Sequence, residues 1–328
     1  MKINLLITGG AGFIGSNLAE KFLHDDRVGL VRVVDDLSNG YFENVEEFLT
    51  HPKYEFIKGD ICDYEVCTRA MQGINKVTHQ AALGSVPRSI ENPMRTNEVN
   101  VGGTVNILHA AHAAGVDRVV LAFSSSTYGD SPELPKVEER IGRPLSPYAV
   151  SKYAAELYAE VFAKTYGLPY IGLRYFNIFG PRQNADNPYA AVIPIFCKAF
   201  IEGVAPKING DGTTSRDFTY VENALYANEL ALFTDDKSAL NQVYNVACGE
   251  QADLNDMVDM LRQITGKNIQ SEYGPERPGD VKHSKADISK IKRGLGYAPQ
   301  VRMLEGMRRA YQYYHQLFAD NHSHLAAK

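Results

Sequence analysis

Apolar residues recur along the first half of the chain in short runs, separated by stretches where they return at helical spacing. The run Ile3-Asn4-Leu5-Leu6-Ile7 predicts a first strand, which leads through glycines into a helix over Ser16–Leu23. Further strands are predicted at Val31–Val34, Tyr54–Ile57, Lys76–Thr78, Val119–Ser124 and Tyr170–Arg174. Helical periodicity is clearest over Asn97–Ala114 and Tyr148–Tyr166. Strands alternating with helices imply βαβ units, because successive parallel strands need a crossover between them. The expected fold class is α/β, a doubly wound parallel sheet with a second, smaller α/β unit.

After Phe176 the pattern loosens into loops rich in Pro, Gly and Asn, with shorter helices such as Leu254–Thr265. Phe218–Tyr220 and Val243–Val246 read as strands that return to the main sheet. The expected division is one unit over 1–177, joined by 217–247, and another from 178–216 and 248–328. The polar tail Phe318–Lys328 is expected to fray, and no segment repeats at solenoid spacing.

Composition narrows the classes of function. The 328 residues carry a formal charge of -5 with no basic block. Nucleic acid is therefore not the expected partner, since phosphate backbones demand clustered Lys and Arg. Cys62, Cys67, Cys197 and Cys248 are scattered, without a CxxC pair or a His cluster, so reduced thiols and no metal site are expected. Met1–Thr8 lacks the long apolar region and cleavage site of a signal peptide, and no window reaches the length of a membrane span. A cytoplasmic protein with no membrane partner is the expectation.

Thr8-Gly9-Gly10-Ala11-Gly12-Phe13-Ile14-Gly15 joins the first strand to the first helix. Gly9 permits the tight turn, Gly12 lets backbone approach a pyrophosphate, and Gly15 allows close helix–strand packing. The helix N-terminus offers free N–H groups and a positive dipole to phosphates. A glycine triplet alone is weak, but the second strand ends in Asp35, twenty residues past Gly15. That is the position of the acid that binds adenosine ribose hydroxyls, and it repels a ribose phosphate, favouring NAD over NADP. Asp60, after the third strand, fits a place near the adenine nearly as well as a plain turn role.

Ser146-Pro147-Tyr148 has the form of a helix start, with Ser146 as N-cap. Tyr148 and Lys152 then lie four residues apart on one face. A phenol with an ordinary pKa near ~10 is a poor base at neutral pH; a nearby ammonium and a nicotinamide cation would lower it. Tyr-x-x-x-Lys is common in amphipathic helices, and a serine run is often a polar turn. Here the pair follows a cofactor loop and the run Phe123-Ser124-Ser125-Ser126-Thr127-Tyr128-Gly129, which ends a predicted strand at its carboxyl edge.

Together these motifs resemble the extended short-chain dehydrogenase/reductase family, and within it the UDP-galactose/UDP-N-acetylglucosamine 4-epimerases. The likeness spans Thr8–Gly15, Asp60-Ile61, Ala81-Ala82, Asn100, Ser124–Gly129, Tyr148 and Lys152, Arg174–Asn177, Arg216-Asp217 and Arg277–Asp280. It implies Tyr148 as base, Lys152 on the nicotinamide ribose and Ser124 as assistant, with Ser125 as the second candidate. It implies NAD held by Gly9, Gly12, Phe13, Ile14, Gly15, Asp35, Asn39, Gly40, Asp60, Ile61, Ala81, Asn100, Tyr148, Lys152 and Tyr175. It implies a UDP-sugar held by Gly84, Ser85, Ser125, Asn177, Gln183, Ala191, Val192, Asn209, Arg216, Arg277, Asp280 and Ser284. The units over 1–177 and 178–216/248–328 would then bind NAD and UDP-sugar respectively.

The implied reaction is reversible oxidation at carbon 4, rotation of the 4-keto sugar about its diphosphate, and reduction on the other face. Arg216 and Arg277 match family diphosphate positions, each with a fork of donors. The small Ser284 and Ala191 stand where hexose-restricted members carry tyrosine and asparagine, which implies room for an acetamido group. Gly84-Ser85 and Gln183 point to the same N-acetylhexosamine-preferring subgroup. The faces of Asn97–Ala114 and Tyr148–Tyr166 resemble the helix pair of a homodimer interface. A 4,6-dehydratase is disfavoured because Ser125-Ser126 replace the Asp-Glu used for elimination. A uronate epimerase or decarboxylase is disfavoured less firmly, and a non-catalytic NAD-sensing regulator of the same fold usually lacks the tyrosine–lysine pair.

Overall fold

The computed structural model describes residues 2–184, 191–276 and 282–326, with side chains to residue 319. Arg277 and Asp280 lie outside the described residues.

The main sheet takes its first six strands from the first half of the chain: β1 (Ile3–Thr8), β2 (Val28–Asp35), β3 (Tyr54–Lys58), β4 (Lys76–His79), β5 (Arg118–Ser124) and β6 (Tyr170–Tyr175). Short strands follow: β7 (Ile178–Phe179), β8 (Lys207–Asn209), β9 (Ser215–Arg216) and β10 (Thr219–Tyr220). Then come β11 (Gln242–Val246), β12 (Ala252–Asp253) and β13 (Glu272–Gly274). Seven of these strands form one sheet in the order β11-β6-β5-β4-β1-β2-β3, and every pairing in it is parallel.

The helices are α1 (Phe13–Leu23), α2 (Tyr64–Ala70), α3 (Val86–Glu91), α4 (Pro93–Asn97), α5 (Thr104–Ala113) and α6 (Pro147–Tyr166). After them come α7 (Val192–Glu202), α8 (Val221–Phe233), α9 (Leu254–Thr265), α10 (Ser289–Leu295) and α11 (Met303–Ala326). Because strand side chains alternate, Leu5 and Ile7 enter the apolar layer shared with α1 and α8, while Leu6 enters the layer shared with α2, α5 and α6. Both layers are buried, which explains why the strands read as nearly unbroken apolar runs. The doubly wound α/β expectation is borne out.

Outside the sheet, β8 pairs with β13, β9 with β12, and β7 with β10. Helices α7, α9 and α11 pack on one another beside them. Val243–Val246 does return to the main sheet, as part of β11 beside β6. Phe218–Tyr220 does not: β10 is only two residues long, pairs with β7 and runs directly into α8.

Two helices also depart from expectation. The run expected over Asn97–Ala114 begins at Pro93 and passes through a π turn at Glu98–Gly103 before α5. The tail from Phe318, expected to be loose, continues α11 as helix to Ala326. Met307, Ala310 and Tyr314 are buried at helical spacing and anchor its first half. Among the described residues no helix is long and apolar enough to cross a membrane, and none of their side chains cluster as a metal site.

Candidate active site

The order of the sheet reverses between β1 and β4, so their crossovers leave on opposite faces and open a crevice at the carboxyl ends of the strands. A cleft of about 950 Å³ lies there, running from Asp35 and Asp60 past the glycine turn to Ser124, Tyr148 and Ser284. A second cavity of about 380 Å³ adjoins it and shares Asn177, Ile178 and Arg216 with its wall.

At the first end, Gly9 has φ +67°, and a Cβ there would come within 2.6 Å of the Ala81 nitrogen. A Cβ on Gly15 would fall 2.1 Å from the Gly9 carbonyl oxygen, so Gly15 packs against the loop itself rather than the strand. Helix α1 starts at Phe13 with Gly12 as N-cap, which offers no side-chain hydrogen bond to the first turn. Asp35 closes the turn from below: its carboxylate accepts from the Ala11 N–H at 2.9 Å and the Leu37 N–H at 2.8 Å. Burial pushes this carboxyl up in pKa against the pull of those two donors. A pyrophosphate cradle followed by an acid on β2 fits a dinucleotide.

Phe13, Ile14, Asn39, Gly40, Asp60, Ile61, Ala81 and Tyr175 line the same cleft. Asp60 is held by the Arg95 guanidinium at 2.7 Å and the Cys62 N–H at 2.8 Å. Partial burial would raise its carboxyl, but those partners hold it below the ordinary value. Asn100 is 2 % exposed, accepting from the Leu83 N–H at 2.8 Å and donating to the Leu83 carbonyl at 3.2 Å and the Ser151 hydroxyl at 3.0 Å. It fixes the backbone of Leu83, which lines the cleft beside Gly84.

The catalytic candidates converge from two elements. Ser146 caps α6 by accepting from the Ala149 N–H at 3.1 Å, which presents Tyr148 and Lys152 in successive turns. The Tyr148 phenol faces Ser124, at the end of β5, and both line the cleft. Ser124 also accepts from the Ser126 N–H at 3.2 Å and the Ser126 hydroxyl at 2.9 Å; Ser125 lines the cleft beside it. Burial raises the phenol's pKa, and Ser124 opposes this. The lowering expected from a nearby ammonium and a nicotinamide cation is not what the protein alone produces, where desolvation of the phenolate dominates. The Lys152 ammonium donates to the Ala122 carbonyl at 2.9 Å, and burial brings its pKa down to about 8 against the attraction of Glu156.

Toward the other end, Arg216 borders both cavities and donates to the Ser215 carbonyl at 2.9 Å and the Lys282 carbonyl at 3.2 Å. Gly84, Ser125, Asn177 and Ser284 line the large cleft, whereas Ala191, Val192 and Asn209 line the second cavity. Ser284 and Ala191 thus border two adjoining cavities that share Arg216. Ser85 and Gln183 line neither wall: Ser85 caps α3 through the Arg88 N–H, and Gln183 donates to the Ile178 carbonyl at 3.2 Å. Sequence reasoning missed Lys136 in the large cleft and Lys207 and Lys282 in the second cavity. They sit in loops or a three-residue strand, where no periodicity or motif marks them.

Comparison with known proteins agrees with this geometry. The family described as GDP-mannose 4,6 dehydratase matches residues 6–310. A UDP-glucose 4-epimerase of Mycolicibacterium smegmatis is 35% identical over 311 residues, covering 94% of this chain and 97% of that one. Among solved structures, a UDP-N-acetylglucosamine 4-epimerase from Methanobrevibacter ruminantium, in complex with UDP-N-acetylmuramic acid, superposes with TM-score 0.90 at 37% identity, covering 97% of this chain and 100% of that one. A UDP-glucuronic acid 4-epimerase from Bacillus cereus, with UDP-glucuronic acid and NAD, superposes with TM-score 0.89 at 31% identity, covering 96% and 100%. The glycine turn over α1, the acid at the end of β2 and the serine–tyrosine–lysine cluster thus occur in a chain that belongs to the nucleotide-sugar epimerase/dehydratase family of short-chain dehydrogenases/reductases.

Proposed function

We propose that the protein interconverts UDP-N-acetylglucosamine and UDP-N-acetylgalactosamine by inverting carbon 4, as a homodimer. It is an NAD-dependent UDP-sugar 4-epimerase. NAD, when bound, supplies the acceptor and later the donor of the two electrons at carbon 4. Gly12 and the N-terminus of α1 hold its pyrophosphate, and Asp35 its adenosine ribose. Tyr148 takes the proton of the 4-hydroxyl and returns it, Ser124 aligns that hydroxyl with the phenol, and Lys152 contributes a positive charge one helical turn away.

The observation that carries this reading is the shape of chemistry around Tyr148. Among the described residues, the carboxylates lining the large cleft are Asp35, Asp36 and Asp60, at or just beyond the ends of β2 and β3 on the adenosine side. Ser125 and Ser126 follow Ser124, so elimination of water from the sugar has no acid–base pair beside the phenol. Epimerisation needs none. Preference for an acetamido sugar is supported by Ser284, whose short side chain borders the large cleft. Ala191 lends no support at the same spot, since it lines the neighbouring cavity.

A panel of UDP-hexoses, UDP-N-acetylhexosamines and their uronates tests the substrate, with Ser284→Tyr as the control. The unaltered enzyme should favour the N-acetylhexosamines, and the substitution should reduce kcat/KM for UDP-N-acetylglucosamine far more than for UDP-glucose. An unchanged ratio, or a prior preference for UDP-glucose, would refute the assignment.

A further inference from the structure

Lys152 is followed one helical turn later by Glu156, whose side chain and that of Arg174 are each only 5% exposed. The two form a fork, with Glu156 Oε1 accepting from Arg174 Nε at 3.0 Å and Oε2 from Nη2 at 2.6 Å. The remaining guanidinium donor, Nη1, reaches the Tyr128 hydroxyl at 3.2 Å and the Glu138 carbonyl at 2.9 Å. Tyr128 donates onward to Asn245 at 2.6 Å. Thr127, whose side chain faces Glu156, donates to the Ser124 carbonyl at 2.9 Å. Glu156 thus stands on the helix of Tyr148 and Lys152, beside the turn that follows Ser124, and in a fork with β6.

Desolvating an ion pair costs several kcal/mol per ion, and apolar side chains of the same volume often stabilise a fold as well or better. A buried fork next to a buried ammonium therefore calls for a role beyond packing. We propose that Glu156 is a positioning residue for the reaction: with Arg174 it clamps the Ser124 turn against α6 and keeps the Lys152 ammonium charged. This inference rests on the roles given above to Tyr148 and Lys152.

The surroundings leave this carboxylate as the charge that balances Lys152. The other groups near Lys152 are the neutral Tyr148 on its own helix and His79 at the end of β4, whose protonation burial and Lys152 itself suppress. Arg174 from β6 is a like charge. Glu156 itself faces Arg174 and Tyr170 from β6, Thr127 and Tyr128 from the serine turn, Glu138 from the loop beyond it, and Glu160 one turn onward on α6. Removing its charge leaves the buried Lys152 without the carboxylate that favours its charged form, so the ammonium gives up its proton more readily.

The test is Glu156→Gln in the NAD-bound enzyme, with kcat followed against pH. The alkaline limb, where Lys152 loses its proton, is expected to move down by about one pH unit, the shift an adjacent opposite charge produces. Substrate KM should change little. Glu156→Asp, which keeps the charge but shortens the reach, should leave the limb in place while lowering kcat. Because Glu156→Gln strands a buried guanidinium, the double variant Glu156→Gln/Arg174→Met provides a folded background in which the limb should also move. Titration of Lys152 by NMR, with lysine labelled with ¹³C at the ε carbon, reports the same shift without any substrate. It therefore separates this inference from the assignment of the substrate. A limb and a Lys152 titration that stay at their wild-type positions in both Gln variants would overturn the role given to Glu156.

Discussion

Lys152 donates to the carbonyl of Ala122 at 2.9 Å, two residues before Ser124 on β5, the strand whose end faces Tyr148. One strand end therefore meets both members of the tyrosine–lysine pair, holding the lysine through backbone and presenting Ser124 to the phenol. Tyr148→Phe should keep the ring's packing and the binding of UDP-sugar while removing the oxygen that moves the proton. Turnover is expected to fall by on the order of 10²-fold or more, with affinity in calorimetry within a few-fold of wild type. Near-normal turnover would mean another base.

Asp35 spends both carboxylate oxygens on backbone N–H groups at the base of the cofactor turn. The enzyme is expected to purify with NAD bound and to need none added. Asp35→Asn keeps one acceptor and loses the charge, and should move selectivity toward NADP on the order of tenfold, about 1.4 kcal/mol. Nucleotide released by denaturation and identified by chromatography checks both statements.

What the sequence made legible follows from which signals are local. The glycine turn, Asp35 and the Tyr148/Lys152 spacing each depend on a few consecutive residues or on one helical turn, and the structure places all of them around one cleft. The bonds of Asn100 are not readable from spacing, because it lies in a π turn, which shifts the register of the helix and which no 3.6-residue pattern announces. That Ser284 and Ala191 border two adjoining cavities depends on segments far apart in the chain, which sequence does not relate. The Glu156–Arg174 fork was invisible because it joins a helix to a strand across the layers of the fold.

His79 is buried between two threonines, with Nδ1 2.6 Å from the Thr8 hydroxyl and Nε2 3.0 Å from the Thr104 hydroxyl. Thr104 donates to the Asn100 carbonyl at 2.6 Å, so it accepts from Nε2–H, and Nδ1 accepts from Thr8. The ring is thereby held neutral, and burial lowers its pKa from 6.5 to about 3. Since the unfolded chain binds the proton first, stability contributed by this group is complete above about pH 6.5 and is lost as pH falls toward 3. The slope is at most about 1.4 kcal/mol per pH unit. His79→Gln, which can donate and accept without titrating, should lose less melting temperature than wild type between neutral pH and pH 4; equal losses would exclude His79 as a source of the acid sensitivity.

The apolar surface suited to a second subunit lies on α6, where Val150, Leu157, Tyr158 and Val161 are exposed, and on α3 and α4 through Ile90 and Met94. The expected share from 97–114 is smaller, because its outward positions include Glu98, His109 and His112. Light scattering at micromolar concentration should give a dimer, and Val161→Glu should give a monomer. A monomeric wild type would rule out the homodimer.

Carbon 4 of the sugar is where the account is most exposed. UDP-N-acetylglucosamine carrying deuterium at that carbon, incubated with the purified enzyme and no added cofactor, should yield UDP-N-acetylgalactosamine with the label still on carbon 4, because NAD stays bound and returns what it took. NMR of the product mixture reads both the configuration and the label. A 4-keto-6-deoxy product, or no change at carbon 4, would contradict a UDP-N-acetylhexosamine 4-epimerase.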